Sequence, residues 1–174
     1  MSEAAGSTTR DQHVVIVGAG LVGSLLACYL GRRGYRIDVF ERRPDPRSTE
    51  AERGRSINLA LSERGLDAPR RIDLVDTVMA PALPMHGRAI HGIDGTTTFQ
   101  SYSARGDRAI NSIGRGALNE TLLDAAQATP GVTLNFDARL SAYDLDSNTI
   151  TLEHGGQTRD VAADIALSHG GALR

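Results

Sequence analysis

The chain has 174 residues, of which 40% are hydrophobic and 23% charged, and its formal net charge is −2 at pH 7. This composition is typical of a globular domain that can bury a core, and it excludes an intrinsically disordered chain. A slightly negative charge without a lysine tract argues against nucleic acid as a partner. Residues 1–12 are polar and contain no apolar signal region, so we predict a disordered tail there, no membrane segment and a cytoplasmic location.

The most informative motif lies between residues 13 and 41. The apolar run His13–Val17 predicts a buried strand, and residues 18–23 read GAGLVG before a helical pattern that continues to about Arg33. A second apolar run, Arg36–Phe40, predicts another strand, which is followed by an acidic residue. Strand, glycine turn, helix, strand and acid in this order are the fingerprint of a dinucleotide-binding βαβ unit.

Each part of this fingerprint has a physical reason. Gly18 permits the tight turn, Gly20 lets the backbone approach a pyrophosphate, and Gly23 allows the helix to pack closely against the strand. The N-terminus of the helix presents N–H groups and a partial positive charge to the phosphates. Glu41 follows Gly18 by 23 positions, where a carboxylate can accept hydrogen bonds from ribose hydroxyls. The stretch therefore predicts an adenine-dinucleotide site.

The rest of the chain predicts a mixture of helices and strands. We expect a helix at the centre of residues 55–68, with a break at Pro69. An amphipathic helix over Arg115–Ala128 precedes a strand over 132–136 and a small meander over 139–167 at the edge of the main sheet. The apolar face of this amphipathic helix consists of Leu118, Leu122, Leu123 and Ala126.

No combination of side chains in the sequence indicates catalysis by the protein's own groups. The single cysteine, Cys28, cannot form an internal disulfide, and the five histidines show no metal-ligand spacing. No Ser/His/Asp arrangement can be argued either. We therefore predict no metal site and no catalytic side chain, and we expect a cofactor to carry the chemistry.

The segment at 54–65, GRSINLALSERG, together with ERRPDPR at 41–47, resembles the kynurenine 3-monooxygenase family of FAD-dependent aromatic hydroxylases. The similarity covers about residues 13–165 and includes three further motifs, at 84–88, 99–102 and 112–119. It implies an α/β fold, a Rossmann-like FAD-binding domain of the aromatic-hydroxylase type with a small β-hairpin and meander, in truncated form. It also implies FAD as the cofactor and NADPH as a transient co-substrate. The implied reaction, part of tryptophan degradation, is the O2-dependent hydroxylation of L-kynurenine to 3-hydroxykynurenine through a flavin hydroperoxide.

The resemblance implies roles for particular residues. The ADP part of FAD would be held by Gly18, Gly20, Leu21, Val22, Gly23 and Glu41. Further cofactor contacts would come from Arg42 beside the adenosine, Ala60 beside the flavin, Arg115 at the start of a helix, and Leu140 on the adenine side. Arg88 and Tyr102 match the pair that grips the carboxylate of the substrate. A guanidinium can donate two hydrogen bonds to a carboxylate, and a phenol can donate a third.

The chain around Arg88 and Tyr102 sets a geometric condition on that pair. Residues 87–93 and 96–102 predict two strands joined at Asp94-Gly95, which is a hairpin signal. A two-residue loop would place Arg88 opposite Ser101 and turn Tyr102 to the other face of the hairpin. Convergence of Arg88 and Tyr102 requires a loop with an odd number of residues, or a bulge, and we predict one of the two.

The sequence departs from the family pattern near its end. Family members are more than twice as long, and the Asp-Gly motif that holds the ribityl chain of FAD, expected after a strand at 163–167, is missing. We therefore expect residues 13–174 to be an incomplete FAD-binding domain, the N-terminal part of the family fold, with weak or no FAD retention. The alternative is a truncated, non-catalytic relic or nucleotide-binding module. An NAD-dependent dehydrogenase is a weaker alternative, because the segment at 54–65 and Arg115 suit a flavoprotein.

Overall fold

The computed structural model describes residues 12–48, 57–103 and 109–168. Within these ranges the chain forms twelve strands and four helices. In chain order they are β1 (His13–Val17), α1 (Leu21–Gly31), β2 (Arg36–Phe40), β3 (Asn58–Leu61), α2 (Glu63–Arg70), α3 (Val75–Met79), β4 (Leu83–Met85), β5 (Gly87–His91), β6 (Thr97–Ser101), β7 (Ile110–Gly114), α4 (Arg115–Ala128), β8 (Val132–Asn135), β9 (Arg139–Asp144), β10 (Thr149–His154), β11 (Gln157–Ala162) and β12 (Ile165–Ser168). The chain divides into two compact units. The first comprises Met1–Arg53 and Asn119–Arg174, and the second comprises Gly54–Leu118.

A four-stranded parallel sheet, in the order β12–β1–β2–β8, forms the centre of the first unit. Its central strands β1 and β2 are mostly buried, as expected of parallel strands that are covered on both faces. Ile16 in β1 faces Gly23 of α1, whereas its neighbour Val15 belongs to a hydrophobic cluster on the opposite face. The order of strand, helix and strand predicted for residues 13–41 is confirmed.

The meander predicted over 139–167 is present as β9, β10 and β11, which form an antiparallel sheet of their own. Its predicted position at the edge of the main sheet is wrong. Ile150 and Leu152 lie on one face of β10, and they pack against Val15 and Phe40 of the two central strands. Burial of this apolar face therefore places the meander over the parallel sheet, and β12 takes the edge position beside β1.

The second unit contains an antiparallel sheet in the order β3–β7–β4 and a separate hairpin of β5 and β6. The helix predicted at the centre of residues 55–68 is wrong over its first described part, because Asn58–Leu61 pairs as a strand with β7. Residues 55 and 56 lie outside the described residues. The apolar pattern of this short segment fits a helix or a strand, and pairing with a distant strand decides between them.

Helix α2 begins after a capping serine. The Ser62 Oγ accepts a hydrogen bond from the Gly65 N–H at 3.4 Å, as serine does at helix N-termini. Pro69 lies inside the helix, which ends one residue later at Arg70. The helix therefore ends within one residue of the predicted break, because proline lacks the N–H that would continue the hydrogen-bond ladder.

Helix α4 has the predicted bounds, Arg115–Ala128. Its predicted apolar face is confirmed, because its members are at most 7% exposed: Leu118, Leu122, Leu123 and Ala126. The Thr129 hydroxyl donates to the Ala125 carbonyl oxygen at 2.8 Å where the helix ends. The strand predicted over 132–136 follows as β8.

Among the helices in the described ranges, none combines the length and the apolar character that a membrane crossing requires. The same residues contain no cluster of three or more His, Cys, Asp or Glu side chains placed to hold a metal ion.

Candidate functional site

The turn between β1 and α1 has a backbone that only glycine adopts readily at its first position. Gly18 has a φ of 107°, in the region that residues with a Cβ avoid. Its N–H donates to the Phe40 carbonyl oxygen at 2.8 Å, which ties the turn to the end of β2. The turn and the end of β2 therefore lie side by side, as the fingerprint requires.

The other two glycines of the turn differ in what surrounds them. A Cβ on Gly23 would lie 1.9 Å from the Gly18 carbonyl oxygen, so the packing of helix against turn leaves no room for a side chain. A Cβ on Gly20 would meet no described atom within 4 Å. The φ of Gly20 is −79°, which any residue can adopt. Neither backbone nor packing in the described part of the chain requires glycine at position 20.

The N-terminus of α1 is open to an anion. Its N-cap, Gly20, has no side chain to satisfy the first amides, and the first turn contains no acidic residue. Leu21 is half-buried, and Val22 is 51% exposed at the surface of this turn. The first N–H groups of a helix have no acceptor within the helix, and the helix dipole adds a partial positive charge. This arrangement can bind a phosphate group.

Glu41 directs its carboxylate at the glycine turn. Its Oε2 accepts a hydrogen bond from the Ala19 N–H at 3.0 Å. Its Oε1 accepts from the Arg43 N–H at 3.1 Å and from the Arg43 Nε at 3.0 Å. A carboxylate has about four acceptor positions, so Oε2 keeps capacity for one further donor, such as a ribose hydroxyl.

The same contacts determine the charge of Glu41, whose side chain is only 10% exposed. Burial by itself would raise the pKa of Glu41. Hydrogen bonds from the Arg43 side chain and from the Ala19 and Arg43 amides outweigh burial and hold the pKa below its ordinary value. Glu41 is therefore ionised at neutral pH and is an acceptor only.

Sequence reasoning named Arg42 at this site and missed Arg43. The side chain of Arg42 is exposed, whereas the guanidinium of Arg43 holds the Glu41 carboxylate. The chain bends at residues 42 and 43, so the alternation of β2 does not continue there, and no signal in the sequence distinguishes Arg43 from Arg42. The role proposed for Arg42 beside the adenosine stays a prediction.

Leu140 lies on β9, the first strand of the meander. Its partly buried side chain packs against the cluster that contains Phe40 and Ala138. The Ala138 N–H donates to the Glu41 carbonyl oxygen at 2.9 Å, which fixes the start of the meander beside the end of β2. A contact between Leu140 and an adenine stays a prediction.

Ala60 and Arg115, the other predicted cofactor contacts, belong to the second unit. Ala60 is an exposed residue of β3 and lies opposite Ser112 of β7. Arg115 begins α4 with an exposed side chain, and its N–H donates to the Ile57 carbonyl oxygen at 2.9 Å. Their cofactor roles stay predictions, and residues 54–56 of the GRSINLALSERG segment lie outside the described residues.

The hairpin of β5 and β6 has the odd-numbered loop that was predicted. The Gly92 N–H donates to the Thr96 carbonyl oxygen at 2.8 Å, which leaves residues 93–95 as the loop between this pair. Gly95 has a φ of 81°, the left-handed conformation that commonly closes a three-residue hairpin loop. The turn chemistry at Asp94-Gly95 was thus located correctly, and the loop extends one residue further towards β5.

This register brings Arg88 and Tyr102 to one face of the hairpin. Arg88 lies opposite Gln100, and the Tyr102 N–H donates to the His86 carbonyl oxygen at 2.9 Å. Because alternate residues share a face, Tyr102 lies diagonally across from Arg88 and beside Gln100. The Arg88 Nε donates to the Gln100 Oε1 at 2.9 Å. Arg88, Gln100 and Tyr102 are all exposed.

Comparison with known proteins identifies relatives for nearly the whole chain. The NAD(P)-binding Rossmann-like domain family matches residues 16–68. The kynurenine 3-monooxygenase of Salinispora tropica is 43% identical over 167 residues, which are 94% of this chain and 37% of that protein. The enzymes of the same name from Myxococcus xanthus and Cytophaga hutchinsonii are 44% and 48% identical over 84% and 76% of this chain.

Solved structures show the same fold. A p-nitrophenol 4-monooxygenase from Pseudomonas putida superposes with a TM-score of 0.75 at 19% identity, over 94% of this chain and 42% of that one. A flavin-dependent halogenase superposes with a TM-score of 0.65 at 21% identity, over 89% of this chain and 28% of that one. The predicted fold class, an α/β Rossmann-like domain, is confirmed. The chain spans about 37% of the length of the Salinispora tropica enzyme, and over that span it is similar to proteins named kynurenine 3-monooxygenase.

Proposed function

We propose that the first unit binds the ADP part of FAD, and that the chain serves the hydroxylation of L-kynurenine to 3-hydroxykynurenine with NADPH and O2. Gly20 is the observation that carries the proposal. Neither its φ nor its described surroundings require glycine, so the reason for the missing side chain lies in a ligand that approaches the backbone. The substrate class comes from the relatives named kynurenine 3-monooxygenase.

The residues of the turn fit a dinucleotide. The amides at the start of α1, from Gly20 to Gly23, would face the diphosphate, and the free acceptor position on Glu41 Oε2 would take a ribose hydroxyl. Arg43 would keep the Glu41 carboxylate ionised and oriented. Bound FAD would supply the redox chemistry with NADPH and O2. The protein's own contribution would be binding, orientation and exclusion of water.

Arg88 and Tyr102 are proposed to bind the carboxylate of L-kynurenine. Their presence on one hairpin face supports this role, because a guanidinium and a phenol can then donate to the same carboxylate. Both residues belong to the second unit, whereas the glycine turn belongs to the first. The nucleotide and the carboxylate can therefore be tested separately.

A titration of FAD into the full chain tests the nucleotide part of the proposal. We expect Glu41→Gln to weaken FAD binding about tenfold, since a charge-assisted hydrogen bond to ribose becomes a neutral one. Glu153→Gln makes the same chemical change at an exposed position of β10 and should leave the dissociation constant unchanged. Equal affinities of wild type and Glu41→Gln would contradict the assignment of Glu41, provided circular dichroism shows both chains folded.

The alternative of a non-catalytic nucleotide-binding module is supported by the match of residues 16–68 to the NAD(P)-binding Rossmann-like domain family, which concerns the nucleotide site alone. The two functions differ in one measurement. Oxidation of NADPH by the FAD-loaded chain that is stimulated by L-kynurenine would favour the monooxygenase. FAD binding without such stimulation would favour the nucleotide-binding module.

A further inference from the structure

The side chain of Arg88 is held by a hydrogen bond and not by burial. Arg88 and Gln100 face each other as direct cross-strand neighbours of β5 and β6, and both are exposed. The Arg88 Nε donates to the Gln100 Oε1 at 2.9 Å. An N–H can only donate, so the amide of Gln100 must present its oxygen to Arg88. The contact therefore defines the orientation of both side chains.

This contact leaves one edge of the guanidinium for a carboxylate. A guanidinium has two edges that can donate two parallel hydrogen bonds, one formed by Nε with a terminal nitrogen and one formed by the two terminal nitrogens. Gln100 occupies Nε, so the edge of the two Nη groups remains. The hydrogen bond from the Tyr102 N–H to the His86 carbonyl oxygen continues the register one residue past β6, which puts Tyr102 on the face of Gln100. A carboxylate on this face would meet the Nη edge and the phenol together.

We infer that Gln100 is a positioning residue of the proposed carboxylate site, which holds Arg88 by its Nε so that the substrate carboxylate binds end-on to the two Nη groups. This inference rests on the proposed function. The ordinary role of such a pair is a modest contribution to hairpin stability. Two substitutions of Gln100 separate the positioning role from the structural one.

Gln100→Glu and Gln100→Leu change different properties of the contact. A glutamate still accepts from Nε, but its negative charge competes with the substrate carboxylate for the guanidinium. A leucine of similar size removes the acceptor and frees Nε. Thr98→Val is the matched control, because Thr98 lies on the same face of β6 two pairs further along, opposite Ile90.

The experiment compares two ligands in the FAD-loaded full chain. L-kynurenine and its decarboxylated analogue kynuramine are titrated by NMR, and the ratio of their dissociation constants measures recognition of the carboxylate. The Nε–H resonance of Arg88 reports in the same spectra whether its hydrogen bond persists.

We expect Gln100→Glu to keep the protected Nε–H resonance and to lower the preference for L-kynurenine about fivefold, which is the scale of an exposed ion pair. Gln100→Leu should lose the resonance and lower the preference about twofold to threefold. Thr98→Val should match the wild type in both. A purely structural role would leave the preference unchanged in both Gln100 variants, and that result would overturn the inference.

One further variant separates this inference from the proposed function. If the wild type does not prefer L-kynurenine, or if Arg88→Lys keeps the full preference, the carboxylate site itself is wrong and the role of Gln100 is wrong with it. If the preference exists and depends on Arg88 but not on Gln100, the proposed function stands and only the positioning role is overturned.

Discussion

The carboxylate of Glu41 has to be both buried and charged. It must be buried to face the Ala19 amide, and it must be charged to be a good acceptor. Burial opposes the charge, and the hydrogen bonds from Arg43 and the two amides overcome that opposition. The donors that orient Glu41 are therefore also the ones that keep it ionised.

The lowered pKa of Glu41 predicts a pH dependence of stability. A carboxyl group whose pKa is lower in the folded chain than in the unfolded chain stabilises the fold at pH values above its unfolded pKa, which is about 4.3 for glutamate. This stabilisation is lost as the pH falls through the pKa of the folded chain. We expect Glu41→Gln to lower the free energy of unfolding at pH 7, and we expect the difference from wild type to shrink below about pH 4. Urea denaturation at several pH values measures this, with Glu153→Gln as the control. A difference that stays constant across pH would contradict the account.

Residues of the site could be predicted where spacing alone determines their position. Gly18, Gly23 and Glu41 follow from the order of strand, turn, helix and strand, because each position has one geometric task. Arg43 was missed because its role depends on the path of the chain after β2. Gln100 was missed because its partner follows from the register of the hairpin and not from its place in the sequence.

At the scale of elements, the loop after β2 is fastened to its surroundings by Arg47. Its guanidinium donates to both oxygens of Asp45, at 2.9 and 2.7 Å, and to Asp124 of α4 at 2.8 Å. It also lies 5.8 Å from the centre of the Phe136 ring. A planar fork is required for this set of contacts, which an ammonium group cannot make.

We therefore expect Arg47→Lys to lower the free energy of unfolding by about 1 kcal/mol, although it preserves the charge. The matched control is Arg71→Lys. Arg71 forms an exposed ion pair with Asp67, four residues earlier, and such a pair contributes about 0.3–0.5 kcal/mol. Urea denaturation of the three chains gives the comparison. Equal effects at the two positions would show that Arg47 does not fasten the loop.

The hairpin of β5 and β6 offers a second element-scale test, because its register decides which side chains meet. Deletion of Ala89, an exposed residue of β5 between Arg88 and the loop, would place Arg88 opposite Phe99, on the face that Tyr102 does not share. We expect this deletion to abolish the preference for L-kynurenine over kynuramine, although Arg88 and Tyr102 both remain. Ala89→Ser keeps the register and should keep the preference. An unchanged preference in the deletion variant would exclude a joint carboxylate site.

Elements could be predicted from the sequence where the pattern is long, and not where tertiary pairing decides. Helix α4 has fourteen residues with a clear apolar face, and its bounds were predicted correctly. Strand β3 has only four residues, and its pairing with the distant β7 overrides the helical pattern of the segment around it. The meander was located in sequence but misplaced in space, because its position depends on packing against the β1 and β2 side chains.

At the scale of the whole molecule, the fold class could be predicted because one βαβ unit implies a parallel sheet with right-handed crossovers. The parallel sheet is present, with strands from both ends of the described chain adjacent in the order β12–β1–β2–β8. The division into two units could not be predicted, because it follows from which elements contact one another and not from any linker composition.

Gly20→Asp shows most clearly whether the turn after β1 leaves Gly20 bare for a diphosphate. An aspartate at this N-cap can accept from the first amides of α1 and complement the helix dipole, so we expect the free energy of unfolding to rise by about 0.5–1 kcal/mol. The same carboxylate would occupy the phosphate position and repel the ligand.

The decisive measurement is the dissociation constant for FAD of wild type, Gly20→Asp and Gly23→Ala, together with their stabilities. We predict that Gly20→Asp binds FAD on the order of a hundredfold more weakly while it is at least as stable as the wild type. Gly23→Ala should lose stability instead, because its methyl group would overlap the Gly18 carbonyl oxygen. Wild-type affinity for FAD in Gly20→Asp would contradict the account.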